Sequence, residues 1–184
     1  MGRRIIFIAI FLSLAVFPAR AQKLAVSTNA LGYADFITIN AEASVAVARH
    51  WSVNAGFLYN PWSFNGEWGK MRDSRRTVNA GTRFWFWNVY SGWWLGAKAQ
   101  WEEYNRGGIR SPRTEEGDAF GAGLSAGYSL MLHRNINLDF GLGFWGGWKK
   151  YTVYLCPTCG RIDGQGSKAF ILPNDVLVSL MFTF

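Results

Sequence analysis

Strict alternation of apolar with small or polar residues recurs in eight stretches of this chain. A strand with period two is half-buried, one face against an apolar neighbour and the other against something polar. The predicted strands run about Leu24–Leu31, Asn40–Ala48, Val53–Tyr59, Arg76–Trp87, Trp93–Glu102, Phe120–Leu130, Ile136–Phe144 and Val176–Phe184. Several approach the nine to eleven residues that a tilted membrane-spanning strand requires. The last is the most informative: Val176, Val178, Leu180, Phe182 and Phe184 share one continuous apolar face at a free end, where the neighbour on that face is expected to be lipid. The cleanest alternation sets Phe120, Ala122, Leu124, Ala126, Tyr128 and Leu130 against Gly121, Gly123, Ser125, Gly127 and Ser129.

Connections between these strands alternate in length. Short turns fall near Arg49, Asn88 and His133, whereas long polar loops are predicted over Pro61–Arg75, Asn105–Asp118 and Val153–Lys168; Leu31–Ile39 is a shorter connection on the same side. Up-and-down barrels of the outer membrane pair tight periplasmic turns with longer external loops in this way. Aromatic placement agrees. Trp51, Trp85, Trp87, Trp93 and Trp94 lie beside the short turns, and Tyr59, Trp62, Trp101, Tyr104, Trp145, Trp148 and Tyr151 toward the long loops, as two interfacial girdles would. A soluble lipocalin-like barrel would keep its large apolar residues inside, the reverse of this pattern. The predicted fold class is all-β: one eight-stranded antiparallel up-and-down transmembrane β-barrel.

The N-terminus fits export. Arg3 and Arg4 precede an apolar run from Ile5 to Phe17, and Ala19-Arg20-Ala21 offers a small-x-small cleavage site before Gln22. That run is too short for a comfortable helical span of roughly 20 residues. Residues 1–21 are read as a signal peptide and residues 22–184 as a single outer-membrane domain. Removing Arg3, Arg4 and Arg20 leaves a net charge of +4, too small and too dispersed to indicate nucleic acid.

The predicted inward face carries its own chemistry. Glu42, Glu102 and Asp139 meet Arg83, Lys98 and Lys149 there, three acids against three bases in a narrow cylinder where unpaired charge is costly. Eight strands leave an interior that side chains can fill, so a plug of ion pairs is expected in preference to a conducting pore. No catalytic residue and no cofactor is predicted. His50 and His133 fall on short turns without a nucleophile beside them, and Glu102-Glu103 and Glu115-Glu116 are adjacent carboxylates of the kind that point apart or stay solvated. Cys156-Pro157-Thr158-Cys159-Gly160 is the sharpest local motif. It can form a small loop disulfide, carry free thiols at a loop tip, or supply half of a zinc site whose other half the chain lacks; no metal is predicted.

Two resemblances follow from these residues. The closing strand ending on Phe184 is similar to the last strand of bacterial outer-membrane barrels, whose terminal Phe is read by the barrel assembly machinery. Tyr59-Asn60-Pro61-Trp62-Ser63-Phe64, Glu103-Tyr104-Asn105-Arg106-Gly107-Gly108-Ile109, the Cys156–Cys159 pair and the closing strand resemble a Bacteroidota family of small uncharacterised outer-membrane barrels, OmpA/OmpX-like in architecture, over nearly the whole mature chain. That resemblance implies outer-membrane lipid as a partner, a loose link to surface structures and no established catalytic residues. The expected role is structural or surface-interacting, with the long loops meeting glycans, lipopolysaccharide or a surface protein. A narrow channel and a lipid-modifying enzyme are the alternatives.

Overall fold

The alternating stretches pair with one another, each to its sequence neighbours, as short turns between strands favour. The computed structural model describes residues 24–35, 37–67, 69–109, 111–156 and 160–184, without the side chain of Asn174. Residues 1–21, expected to be a signal peptide, and Gln22 and Cys159 lie outside the described residues. Among the described residues nine strands and one short helix appear in chain order: β1 (Leu24–Asn29), α1 (Ala30–Ala34), β2 (Ile39–Ala48), β3 (Trp51–Asn60), β4 (Ser63–Gly66), β5 (Gly69–Trp85), β6 (Gly92–Gly107), β7 (Thr114–His133), β8 (Ile136–Tyr154) and β9 (Ile162–Thr183). All pairings are antiparallel. β3 pairs with β5, the short β4 folds back on the first residues of β5, and β1 pairs with β9 from Ala25↔Thr183 to Asn29↔Ser179. That last pairing closes eight strands into a ring, which removes the sheet edges that would otherwise stay unpaired along it.

The faces separate as the alternation requires. Trp93, Leu95 and Trp101 of β6 point out of the ring, whereas Trp94, Gly96, Gln100 and Glu102 point in. Large apolar groups on the outward face are left open: Phe120, Leu142, Trp148 and Ile171 are each at least 65% exposed. The interior holds a compact aromatic cluster of Trp85, Tyr90, Trp94, Ala25 and Met181 at the short-turn end. A smaller cluster of Tyr104, Ala119 and Trp145, with Phe170 against it, lies toward the other end. Trp85, Trp94, Tyr104 and Trp145 are therefore interior groups rather than members of outward girdles. Parity explains it: Trp85, Trp94 and Trp145 each flank an outward aromatic or apolar residue, and Tyr104 follows the outward Glu103, so each of these side chains must turn inward.

Gly127 shows how tightly the aromatic floor is seated. A Cβ there would lie 2.1 Å from the Phe140 carbonyl oxygen and 2.4 Å from the Trp94 ring. Gly127→Val is expected to unseat Trp94 and cost about 1–3 kcal/mol. Loss of the near-ultraviolet tryptophan signal together with a lower urea midpoint is the expected result.

The stretches predicted as long loops prove to be mostly strand. β5 starts at Gly69, β6 runs to Gly107, β7 starts at Thr114 and β9 at Ile162, so five strands stand as a wall beyond the ends of β1, β2 and β3. Charges hide this from sequence because the wall is polar on both faces and carries no apolar period. Three rungs of its ladder set unlike charges opposite one another, Arg76↔Glu103, Arg106↔Glu115 and Asp118↔Lys150, although Glu103 also faces Asp118. The β8–β9 register shifts twice, between Val153 and Tyr154 near the tip and again where Gly143 faces Asp175 but Trp145 faces Leu172. One extra residue at Pro173-Asn174 flips the side-chain parity of the strand, and proline, which has no N–H to donate, suits such a bulge.

Candidate functional site

The interior is layered. At its floor, Trp85 donates through Nε1 to the Ser52 hydroxyl at 3.0 Å and meets Tyr90 edge-on at a centroid distance of 5.6 Å. Tyr90 belongs to the β5–β6 turn, adopts φ +65°, and accepts on its carbonyl from Asn137 Nδ2 at 2.6 Å. These contacts fold the turn back into the ring, and Trp85, Tyr90 and Trp94 are almost wholly buried.

Above the floor lies Arg83. Its guanidinium reaches Glu42 at 2.6 Å and Asp139 at 3.4 Å and stacks over the Trp94 ring at 4.6 Å. Asn54 donates to the second oxygen of Glu42 at 3.1 Å. Strand pairing brings Glu42 from β2, Arg83 from β5 and Asp139 from β8 to one level. Three of the six residues expected as a network thus meet directly. The other three take partners from outside that set. Lys98 pairs with Asp175 at 2.9 Å, Glu102 with Arg106 at 3.4 Å, and Lys149 with Glu115. A second chain of charges continues at the rim, where Arg106 meets Asp73 at 2.6 Å and Arg75 bridges Asp73 to Asp35 beside α1. Asp73, Arg106 and Glu115 are hidden in sequence because they fall in stretches that read as loops, and Asp175 because it follows the bulge. Carrying the even-numbered inward parity of β6 onward from Glu102 would have found Arg106.

Between the Arg83 level and the rim the ring encloses a cavity of about 300 Å3 that opens beside α1. Small inward residues make the room: Gly56, Gly96 and Gly141 line it where larger side chains would fill it. α1 lies over part of the mouth. Asn29 caps the helix by accepting from the Leu31 amide at 3.1 Å, and Asp35 at its other end holds Arg75.

On the protruding wall, burial alone would raise the Glu115 carboxyl, but hydrogen bonds from Lys149 and Tyr104 outweigh it and hold it below the ordinary glutamate value. The folded state therefore binds this proton less readily than the unfolded chain. The resulting stability is present above the ordinary glutamate range and drains away as pH falls through the lowered folded value. In acid titrations followed by urea unfolding, Glu115→Gln is expected to lose stability less steeply than the parent chain.

Val176, Val178, Leu180 and Phe182 lie on the outward face of β9, opposite the buried Ser179, Met181 and Thr183, and the exposed Phe184 follows directly after its end. Cys156 is disulfide-bonded, and Cys159, the only other cysteine in the sequence, falls outside the described residues. His50 sits at the β2–β3 turn with Nδ1 2.8 Å from the Trp85 carbonyl oxygen. His133 closes the β7–β8 turn opposite Ile136.

Fold and site together define an all-β protein: a closed antiparallel ring, apolar outside, charged inside and packed with aromatic residues at one end. The chain belongs to the family described as protein of unknown function DUF3575, which it matches over residues 5–184. No curated protein matches it.

Proposed function

We propose that this protein is a small transmembrane β-barrel of the bacterial outer membrane, exported by its N-terminal signal, with a structural or surface-interaction role and no catalytic one. One observation carries the reading: the abrupt edges of its outward apolar band. Across five paired strands one outward row reads Val78, Trp101, Phe120, Trp148 and Ala169, and the next row reads Arg76, Glu103, Asp118, Lys150 and Ser167. From Phe120 to Leu130 the outward face of β7 is ten residue steps long. At ~3.3 Å per residue and a tilt near 40° that is about 25 Å of height, the thickness of an outer-membrane apolar band. Exposed Trp51, Phe86, Trp87 and Trp93 border it at the short-turn end.

The architecture fits an OmpA/OmpX-like barrel and the resemblance to Bacteroidota barrels that the sequence carries. The polar wall of β5 to β9 then stands outside the cell, where its charged and aromatic groups suit glycans, lipopolysaccharide or a surface protein. A conducting pore is the weaker reading because Trp85, Tyr90, Trp94 and Met181 pack across the short-turn end. Planar-bilayer recording of the refolded protein is expected to show no discrete conductance steps. Fractionation is expected to place the protein in outer membranes, and replacing Arg76, Glu103, Asp118 and Lys150 together by Ser should lower cell binding to immobilised glycans or lipopolysaccharide. A chain recovered from the soluble periplasm sinks the membrane reading; unchanged binding sinks the role given to the wall.

A further inference from the structure

We propose that the interior cavity binds a small organic cation bearing a primary ammonium group. Charge around the cavity is unbalanced. Among the described residues, the ion pairs there form two runs that start and end on an acid. One is Glu42–Arg83–Asp139 and the other is Asp35–Arg75–Asp73–Arg106–Glu102. Each run therefore carries one carboxylate more than its cations neutralise. Lys98 and Asp175 balance each other. Lys149 belongs to Glu115 and Lys168 lies over the Tyr151 ring, both on the wall above. Excess negative charge at the wall of a half-enclosed space is costly unless a cation or solvent answers it.

Unpartnered acceptors point to the same chemistry. The side-chain oxygens of Asn54 and Asn79 are buried without a hydrogen-bond partner, and both residues line the cavity; the lining's unpartnered donors, Arg75 Nε and Trp94 Nε1, belong to groups already held by Asp35 and Asp73 or covered by Arg83. Asn54 as a whole is only 6% exposed, and its amide nitrogen is already committed to Glu42. An ammonium group offers three N–H donors and no acceptor, the complement of two amide oxygens beside a carboxylate. A neutral sugar would leave the charge excess unanswered. A hard metal ion would need six or more oxygen ligands, and the described residues hold no group of three or more His, Cys, Asp or Glu arranged for a metal. The cavity lies at the small end of ligand sites, roughly 300–1,000 Å3, and the packed floor makes it a blind pocket entered past α1.

Isothermal titration calorimetry of the full chain in detergent micelles tests this, with ethylammonium and putrescine as probes and glucose and acetate as controls. Saturable binding is expected for the amines and not for the controls. Glu42→Gln and Asn79→Leu should each weaken amine binding by about tenfold, the usual size of a lost charge-assisted contact. Ile171→Leu, on the outer face and away from the cavity, should leave it unchanged. If Glu42→Gln does not refold, Glu102→Gln at the mouth reads the same charge excess. Absence of saturable heat with both amines overturns the proposal, as does equal binding of glucose or undiminished binding in refolded variants.

Discussion

Replacing Arg83 by Met is expected to destabilise the protein by about 3–5 kcal/mol, the usual cost of breaking a buried ion pair by removing one partner. The side chain is only 6% exposed and is the shared cation of Glu42 and Asp139, the latter fully buried. Its loss leaves two carboxylates facing each other across the interior and uncovers the Trp94 ring on which the guanidinium lies. Combining Arg83→Met with Glu42→Gln and Asp139→Asn should restore most of the lost stability, because the uncompensated charge leaves along with the cation. Urea unfolding in lipid vesicles measures both. A single variant as stable as the parent, or a triple variant no better than the single, would show that this cluster does not hold the strands together.

Introducing Arg at Leu124 is expected to cost about 2–4 kcal/mol in a bilayer, and Arg at Phe86 only about 0–1 kcal/mol. Both side chains point outward and are similarly open, Leu124 at 55% and Phe86 at 52% exposure. In water their replacement by a charge should be nearly neutral at either position. Within a membrane the two differ by depth: Leu124 sits at mid-height of the apolar band, whereas Phe86 is at its border. The measurement is the difference between the two variants in vesicles. Equal costs at the two positions would argue against a lipid-facing band.

Much of the ring is legible in the order of the residues. Alternation in β6, β7 and β8 assigns each residue to a face, and the outward set of β9 from Val176 to Phe182 follows the same rule. Period two is a local consequence of the extended backbone, so it can be read without knowing what lies opposite. Strand ends are far less legible. Thr114 to Asp118 and Glu103 to Gly107 show no apolar contrast, so their pairing is visible only once cross-strand partners are known. α1 is five residues long and has no buried side chain, which gives sequence no period to detect.

The charged interior divides in the same way. That Glu42, Arg83, Lys98, Glu102 and Asp139 point inward was determined by the sequence, because inward direction is set by position within a strand. Which acid meets which base was decided only in the tertiary structure, because partners depend on register and on strands far apart in the chain. Arg83 could not be assigned to Asp139 without the stagger between β5 and β8, nor Lys98 to Asp175 without the bulge at Pro173. The excess of carboxylates around the cavity is likewise a property of closure. Composition counts charges, but only the closed ring determines which of them share one small volume.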